Sequence, residues 1–167
     1  MLALKSLSPA AIPLALEKAE RYRLLNQPWA AESICLDILL AQPGHQQALQ
    51  VLLLARTDQF GSDSAAPATR ARETHSQLTS EYDRAYYGGL ILERRARAQL
   101  DKHTPGARHD AHEWICEAME LYQQAERVRP AGDDDAILRW NSCARLLNES
   151  PQITPREREM SEPAIGE

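Results

Sequence analysis

The sequence is poor in aromatic residues, glycine and cysteine. Three Trp, five Tyr, one Phe and seven Gly among 167 residues are too few for a β-sandwich or barrel and favour helices. The three cysteines, Cys35, Cys116 and Cys143, are odd in number, far apart and set in apolar helical patterns. That is how buried free thiols look in a reducing compartment, and no CxxC pair points to zinc or thiol exchange. Long apolar runs are also missing: the longest, Val51 to Ala55, is far short of the ~20 residues that span a bilayer. Residues 1–11 hold Lys5 and Pro9 and have neither the apolar core nor the cleavage site of a secretory signal. A cytoplasmic protein without membrane insertion is expected. Positive charge is in deficit, with 19 basic against 24 acidic side chains and a net charge of -5, which argues against nucleic acid or anionic lipid as the main partner.

What the chain does contain is Ala and Leu at helical spacing. Residues 1–8 read as a flexible N-terminal arm. Ser8 and Pro9 form an N-cap and first-turn pair, and Pro13 moves the regular helix towards Ala11. Leu16, Ala19 and Tyr22 carry that helix to Asn26, and Pro28 opens a second with the stripe Ala31, Ile34, Cys35, Ile38 and Leu39, ending at Pro43 and Gly44. The very short connection predicts an antiparallel hairpin. A third helix is expected over residues 45–58 and a shorter one over 68–78, joined by the loop GSDSAAP. Ser80 with Asp83 resembles a capping box opening a long helix to Lys102. Gly88 and Gly89 inside it mark either a close approach by another helix or a locally weak stretch. Trp114, Ala118, Leu121, Tyr122, Ala125 and Val128 form the clearest stripe, and a last helix with Ile137, Trp140, Ala144 and Leu147 starts after the aspartates 133–135. Residues 150–167, proline-rich and charged without an apolar period, read as a disordered tail.

Two segments superimpose at identical spacing: Ala31, Cys35, Ile38, Pro43 and Ala118, Tyr122, Ala125, Pro130. The second set matches the second-helix signature of the tetratricopeptide repeat in full. Ala19 and Tyr22 match the small and aromatic residues of its first helix, while Ala15 and Lys18 replace the usual Trp and Leu. Over residues 10–149 the chain thus resembles a divergent tetratricopeptide-repeat protein. The offset of 87 residues is not a multiple of the ~34-residue period, so the middle requires longer helices or loops. The resemblance implies an all-α domain at residues 9–149, with antiparallel hairpins stacked as a short right-handed superhelix closed by a C-terminal capping helix. It also implies a concave groove that accepts a peptide or helix of another protein.

Carried over position by position, the resemblance places Leu16, Glu20, Arg23 and Leu24 on the groove, followed by Gln47, Gln50, Leu54 and Asp58. If Gly89 is the small residue of the third hairpin, Asp83, Tyr86, Leu90, Glu93 and Arg94 follow. The carboxylate clamp of some family members is not expected, because Leu16 and Glu20 stand where its lysine and asparagine would be. Residues 67–108 hold eight basic and five acidic side chains, a local +3, so Arg94, Arg95 and Arg97 near Tyr86 and Tyr87 either hold an acidic partner segment or form a solvated, internally paired face. The leading expectation is an adaptor or scaffold module without cofactor or catalytic activity, with a chaperone for an exported or aggregation-prone client as the alternative. A third reading, a small metal-binding protein or enzyme, rests on His109, His112 and Cys116, which a helix would bring to one face. No GxSxG, Walker loop or dinucleotide fingerprint occurs.

Overall fold

Helix ends fall where the sequence supplies caps and breakers. The computed structural model describes residues 2–61 and 66–156, and within them there are seven α-helices and no strand. A 3₁₀ turn at Pro9–Ala11 leads into α1 (Ile12–Leu24), followed by α2 (Pro28–Ala41), α3 (Gln46–Thr57), α4 (Ala66–His75), α5 (Glu81–Asp101), α6 (Ala107–Arg127) and α7 (Asp135–Glu149). Proline opens α2, where its missing N–H is one that a helix leaves unpaired anyway. The His45 ring nitrogen Nδ1 caps α3 by accepting from the Ala48 amide at 3.2 Å. Ser80 Oγ accepts from the Asp83 amide at 3.2 Å, as the capping pattern predicts. Asn26, between α1 and α2, takes a φ of 58°, a left-handed conformation that asparagine tolerates better than most residues and that makes the very short connection feasible.

Packing runs along the chain. Each helix lies against the next one, α5 and α6 most extensively, and α1 with α3 and α3 with α5 add alternate contacts; no substantial packing joins described elements farther apart. The core is accordingly a series of clusters, each shared by consecutive helices. Ala19, Ala31, Cys35, Val51, Leu52 and Ala55 join α1, α2 and α3. Leu49, Leu53, Ala71 and Ile91, with Leu78, join α3 to α4 and α5. Ala96, Ala111, Ile115, Ala118, Tyr122 and Cys143 join α5, α6 and α7. Helix α3 serves three clusters, with Leu49 and Leu53 in one, Val51, Leu52 and Ala55 in another and Ala48 beside Ile12 and Ile38 in the third.

Gly89 explains the tight fit of α5 on α6. A Cβ at this position would lie 2.8 Å from Tyr122 Cε1 and 3.1 Å from the Ala118 carbonyl oxygen, so the sequence expectation of close approach holds there. Gly88 is less constrained, with His75 Nε2 and Leu121 Cδ1 each at 3.3 Å from the corresponding point.

The C-terminal segment departs from the sequence expectation. Residues 150–156 belonged to the expected disordered tail, yet Ile153 is buried, the His109 ring donates from Nδ1 to the Thr154 carbonyl at 2.9 Å, and Arg156 pairs with Asp110 at 2.6 Å. One apolar side chain and two polar contacts to the start of α6 hold a stretch whose composition suggested none. Residues 157–167 of that tail lie outside the described residues.

Candidate functional site on the face shared by alternate helices

The groove residues inferred from the sequence lie on α1, α3 and α5, the helices that contact one another as alternate members of the series. The closest links between them are ionic. Arg23 Nε of α1 donates to Asp58 Oδ2 at 2.8 Å, just past the end of α3, and Arg94 of α5 donates to the other carboxylate oxygen, Oδ1. Arg94 also donates to Thr57 Oγ1 at 2.7 Å and to the Leu54 carbonyl at 3.3 Å. One aspartate thus bridges three helices. Burial lowers the Arg94 pKa from its ordinary value, against the opposing pull of the Asp58 charge. Nearer the start of α5, Gln50 Nε2 donates to Asp83 Oδ2 at 3.0 Å.

A group of tyrosines continues the face along α5. Tyr86 stacks on Tyr82 at 5.7 Å, meets Tyr87 edge-on at 5.1 Å and leans on Tyr122 at 5.9 Å between ring centroids. Burial, with Tyr86 and the Asp83 carboxylate adding to it, raises the Tyr87 hydroxyl above the ordinary phenol range. Tyr82 is raised by burial and then by Asp133. Arg139 of α7 reaches the same place. Burial lowers its pKa, but Tyr86 and the Glu93 carboxylate outweigh that and the net direction is upward.

Two of the expected groove residues are interior instead. Leu90 is 0% exposed and Glu93 1% exposed. The Glu93 carboxylate accepts from Tyr122 Oη at 2.8 Å and from Arg97 Nε at 3.1 Å, with Arg139 at 3.8 Å. It ties α5 to α6 and α7 and is closed to a partner from outside. By contrast Glu20 and Gln47 are exposed and have no hydrogen-bond or ionic partner among the described residues, while Gln50, Leu54, Asp83 and Tyr86 are half-buried. These six, with the half-buried Arg23 and Arg94 and the exposed Asp58, form what is left of the inferred face.

The arginine run presents no free guanidinium. Arg94 is held by Asp58, Arg95 lies over the Trp114 ring at 4.0 Å, and Arg97 bonds Glu93 and, at 3.1 Å, Ser142 Oγ. These three guanidinium groups are engaged within α5 and with α3, α6 and α7. The histidines and cysteine considered for metal are likewise divided. His109 faces Thr154, and Cys116 Sγ is 3.8 Å from His112 Nδ1. Among the described residues no three His, Cys, Asp or Glu side chains stand together in a way that could hold an ion.

A second polar cluster was not anticipated from the sequence. Glu32 of α2 is buried and accepts from Arg56 Nε at 3.0 Å, Arg70 Nη1 at 3.1 Å and Gln59 Nε2 at 3.0 Å. Arg56 also donates to Thr74 Oγ1 at 2.6 Å and to the Arg70 carbonyl at 2.8 Å. Helices α2, α3 and α4 are joined through this one carboxylate. No sequence signal marks it, because its cations lie 24 and 38 residues away.

Comparison of the chain with protein-family models, with characterised proteins and with solved structures gives no match.

Proposed function

We propose that the chain is a protein-interaction module: helical hairpins stacked in the manner of a divergent tetratricopeptide repeat, whose face on α1, α3 and α5 takes up an extended segment of another protein. The observation that carries this reading is the packing order. Helices touch mainly their first and second neighbours along the chain, the arrangement of stacked repeats in which alternate helices line one surface. The signature positions Ala31, Cys35, Ile38, Ala118, Tyr122 and Ala125 are all 0% exposed, as residues between stacked hairpins are. The small residue Gly89 meeting the aromatic Tyr122 supports the same pairing of first and second helices.

The chemistry left on this face also defines the segment it suits. Arg23 and Arg94 share Asp58 as counter-ion, so an acidic partner would have to compete with an existing pair. The accessible groups are the amides of Gln47 and Gln50, the Glu20 carboxylate and the Tyr86 ring, which suit the backbone and side chains of a neutral or mildly basic peptide. Replacing Glu20 and Gln47 together by Arg tests the proposal, since both side chains are exposed and lack partners among the described residues. Capture of a host protein on the immobilised variant is expected to fall at least tenfold against wild type by quantitative mass spectrometry, with far-UV circular dichroism and melting unchanged. An unaltered set of captured proteins rejects this face as the binding surface.

A further inference from the structure

The back of α2 carries an apolar stripe that no described element covers. Trp29, Leu36 and Leu40 are 69%, 46% and 60% exposed and belong to none of the core clusters. They lie on the side of the helix opposite Ala31, Cys35 and Ile38, the residues turned to the core. With the exposed Ser33 the stripe reads 29, 33, 36, 40, a spacing of 4, 3 and 4 residues. That is the seam along which one helix receives another, and the small serine leaves room for a large side chain between Trp29 and Leu36.

The charged side chains that α2 itself carries, Glu32 and Asp37, are both acidic, and Lys18 of α1 lines a small cleft together with Asp37. Helix α2 has no Lys or Arg in its 14 residues, so its negative C-terminal end, next to Leu40, has no basic side chain of its own helix beside it. Asp37 flanks the stripe and has no ionic partner among the described residues, whereas Glu32 is turned inward to Arg56 and Arg70. At the other end the open Trp29 ring offers a face that attracts cations.

We propose that this stripe docks an amphipathic helix of a partner protein that carries apolar residues at matching spacing and basic residues beside them. Two arguments select this occupant over a second copy of the chain. Two copies meeting through α2 would bring two acidic helix edges together, since neither α2 carries a cation and Lys18 of each copy lines the cleft of its own Asp37, whereas flanking Lys or Arg on a partner complements the C-terminal end of α2, the Trp29 ring and Asp37. Three large side chains also cover far less than the ~800 Å² per partner of a stable subunit interface. The distance from Trp29 to Leu40 is about 17 Å at 1.5 Å per residue, which matches a partner helix of about three turns. The stripe is separate from the face proposed above, and either assignment can fail without the other.

The test uses the whole protein and a labelled synthetic 14-residue helical peptide with leucines spaced 4, 3 and 4 and lysines flanking them, read by fluorescence anisotropy. A second peptide has glutamates in place of the lysines, and Leu36→Glu/Leu40→Glu is the protein variant; both substituted side chains are exposed, and circular dichroism checks that helix content is kept. The lysine peptide is expected to bind at least fivefold more tightly than the glutamate peptide and at least tenfold more tightly to wild type than to the variant, with the free protein monomeric by light scattering. Failure of the lysine peptide to bind, equal binding by both peptides, or binding that survives in the variant overturns the proposal. So does a wild-type dimer that the double substitution abolishes, because a second copy is then the occupant.

Discussion

Glu32, Glu93 and the cysteines show how this chain uses polar groups in its interior. Each carboxylate has several donors and sits where helices from different parts of the chain converge, so each is satisfied inside the fold as buried charges must be. The thiols are treated differently. Cys35 and Cys143 are fully buried, and burial pushes each up from 9.0 to about 12. A thiol with a higher pKa in the fold than in the unfolded chain keeps its proton while the unfolded chain has already released its own. Its contribution to stability is therefore intact below about pH 9 and is lost as the pH climbs towards 12, at about 1 kcal/mol per pH unit for each thiol. Cys116 is half-buried, and burial moves it in the same direction. With an aromatic disulfide reagent at pH 8, one thiol is expected to react in the native protein and two only on unfolding, while the melting temperature falls from pH 9 to pH 11. Three thiols reacting together in the native state would show that the two apolar sites open freely.

At the scale of single helices, local signals carry most of the information. Pro28, the Ser80 and Asp83 pair and the stripe from Trp114 to Ala125 place α2, α5 and α6 within a few residues, because caps and apolar period depend on neighbours in sequence. The adjacent glycines were ambiguous in the sequence and the structure separates them. Ala in place of Gly88 would touch only the tips of His75 and Leu121, and its effect should stay within about 0.5 kcal/mol because helix propensity offsets a slight crowding. Ala in place of Gly89 would press on the Tyr122 ring and the Ala118 carbonyl and should cost about 1 to 2 kcal/mol despite the same propensity gain. Thermal denaturation should give a melting temperature lower by roughly 2 to 8 °C for Gly89→Ala and nearly unchanged for Gly88→Ala; equal shifts would mean that α5 and α6 can move apart at no cost. Contacts between distant residues were not legible. Glu93 read as a groove residue because its helical position faces the right way, and only Tyr122 and Arg139, 29 and 46 positions further on, turn that position into an interior one. Ile153 was hidden for the same reason, an isolated apolar residue between polar and proline neighbours whose burial depends on the segment folding back to His109 and Asp110.

For the whole molecule, the succession of clusters sets how it should come apart. The first cluster draws on α1 to α3 and the last on α5 to α7, so damage at one end reaches the other through the middle cluster and the Asp58 bridge between α1, α3 and α5. Structures coupled in this nearest-neighbour way lose order in blocks and not all at once. Glu32→Ala is the substitution that examines this. It leaves Arg56, whose side chain is 11% exposed, without its carboxylate, and removing one partner from a buried ion pair costs about 3 kcal/mol. Hydrogen exchange followed by mass spectrometry should then show faster exchange in α1 to α4, while α5 and α6, which share the most extensive contact in the molecule, keep their wild-type protection. Loss of protection in α5 and α6 to the same degree as in α2 would mean that the helices fold as one cooperative body, and the stacked-repeat reading that rests on their packing order would lose its physical basis.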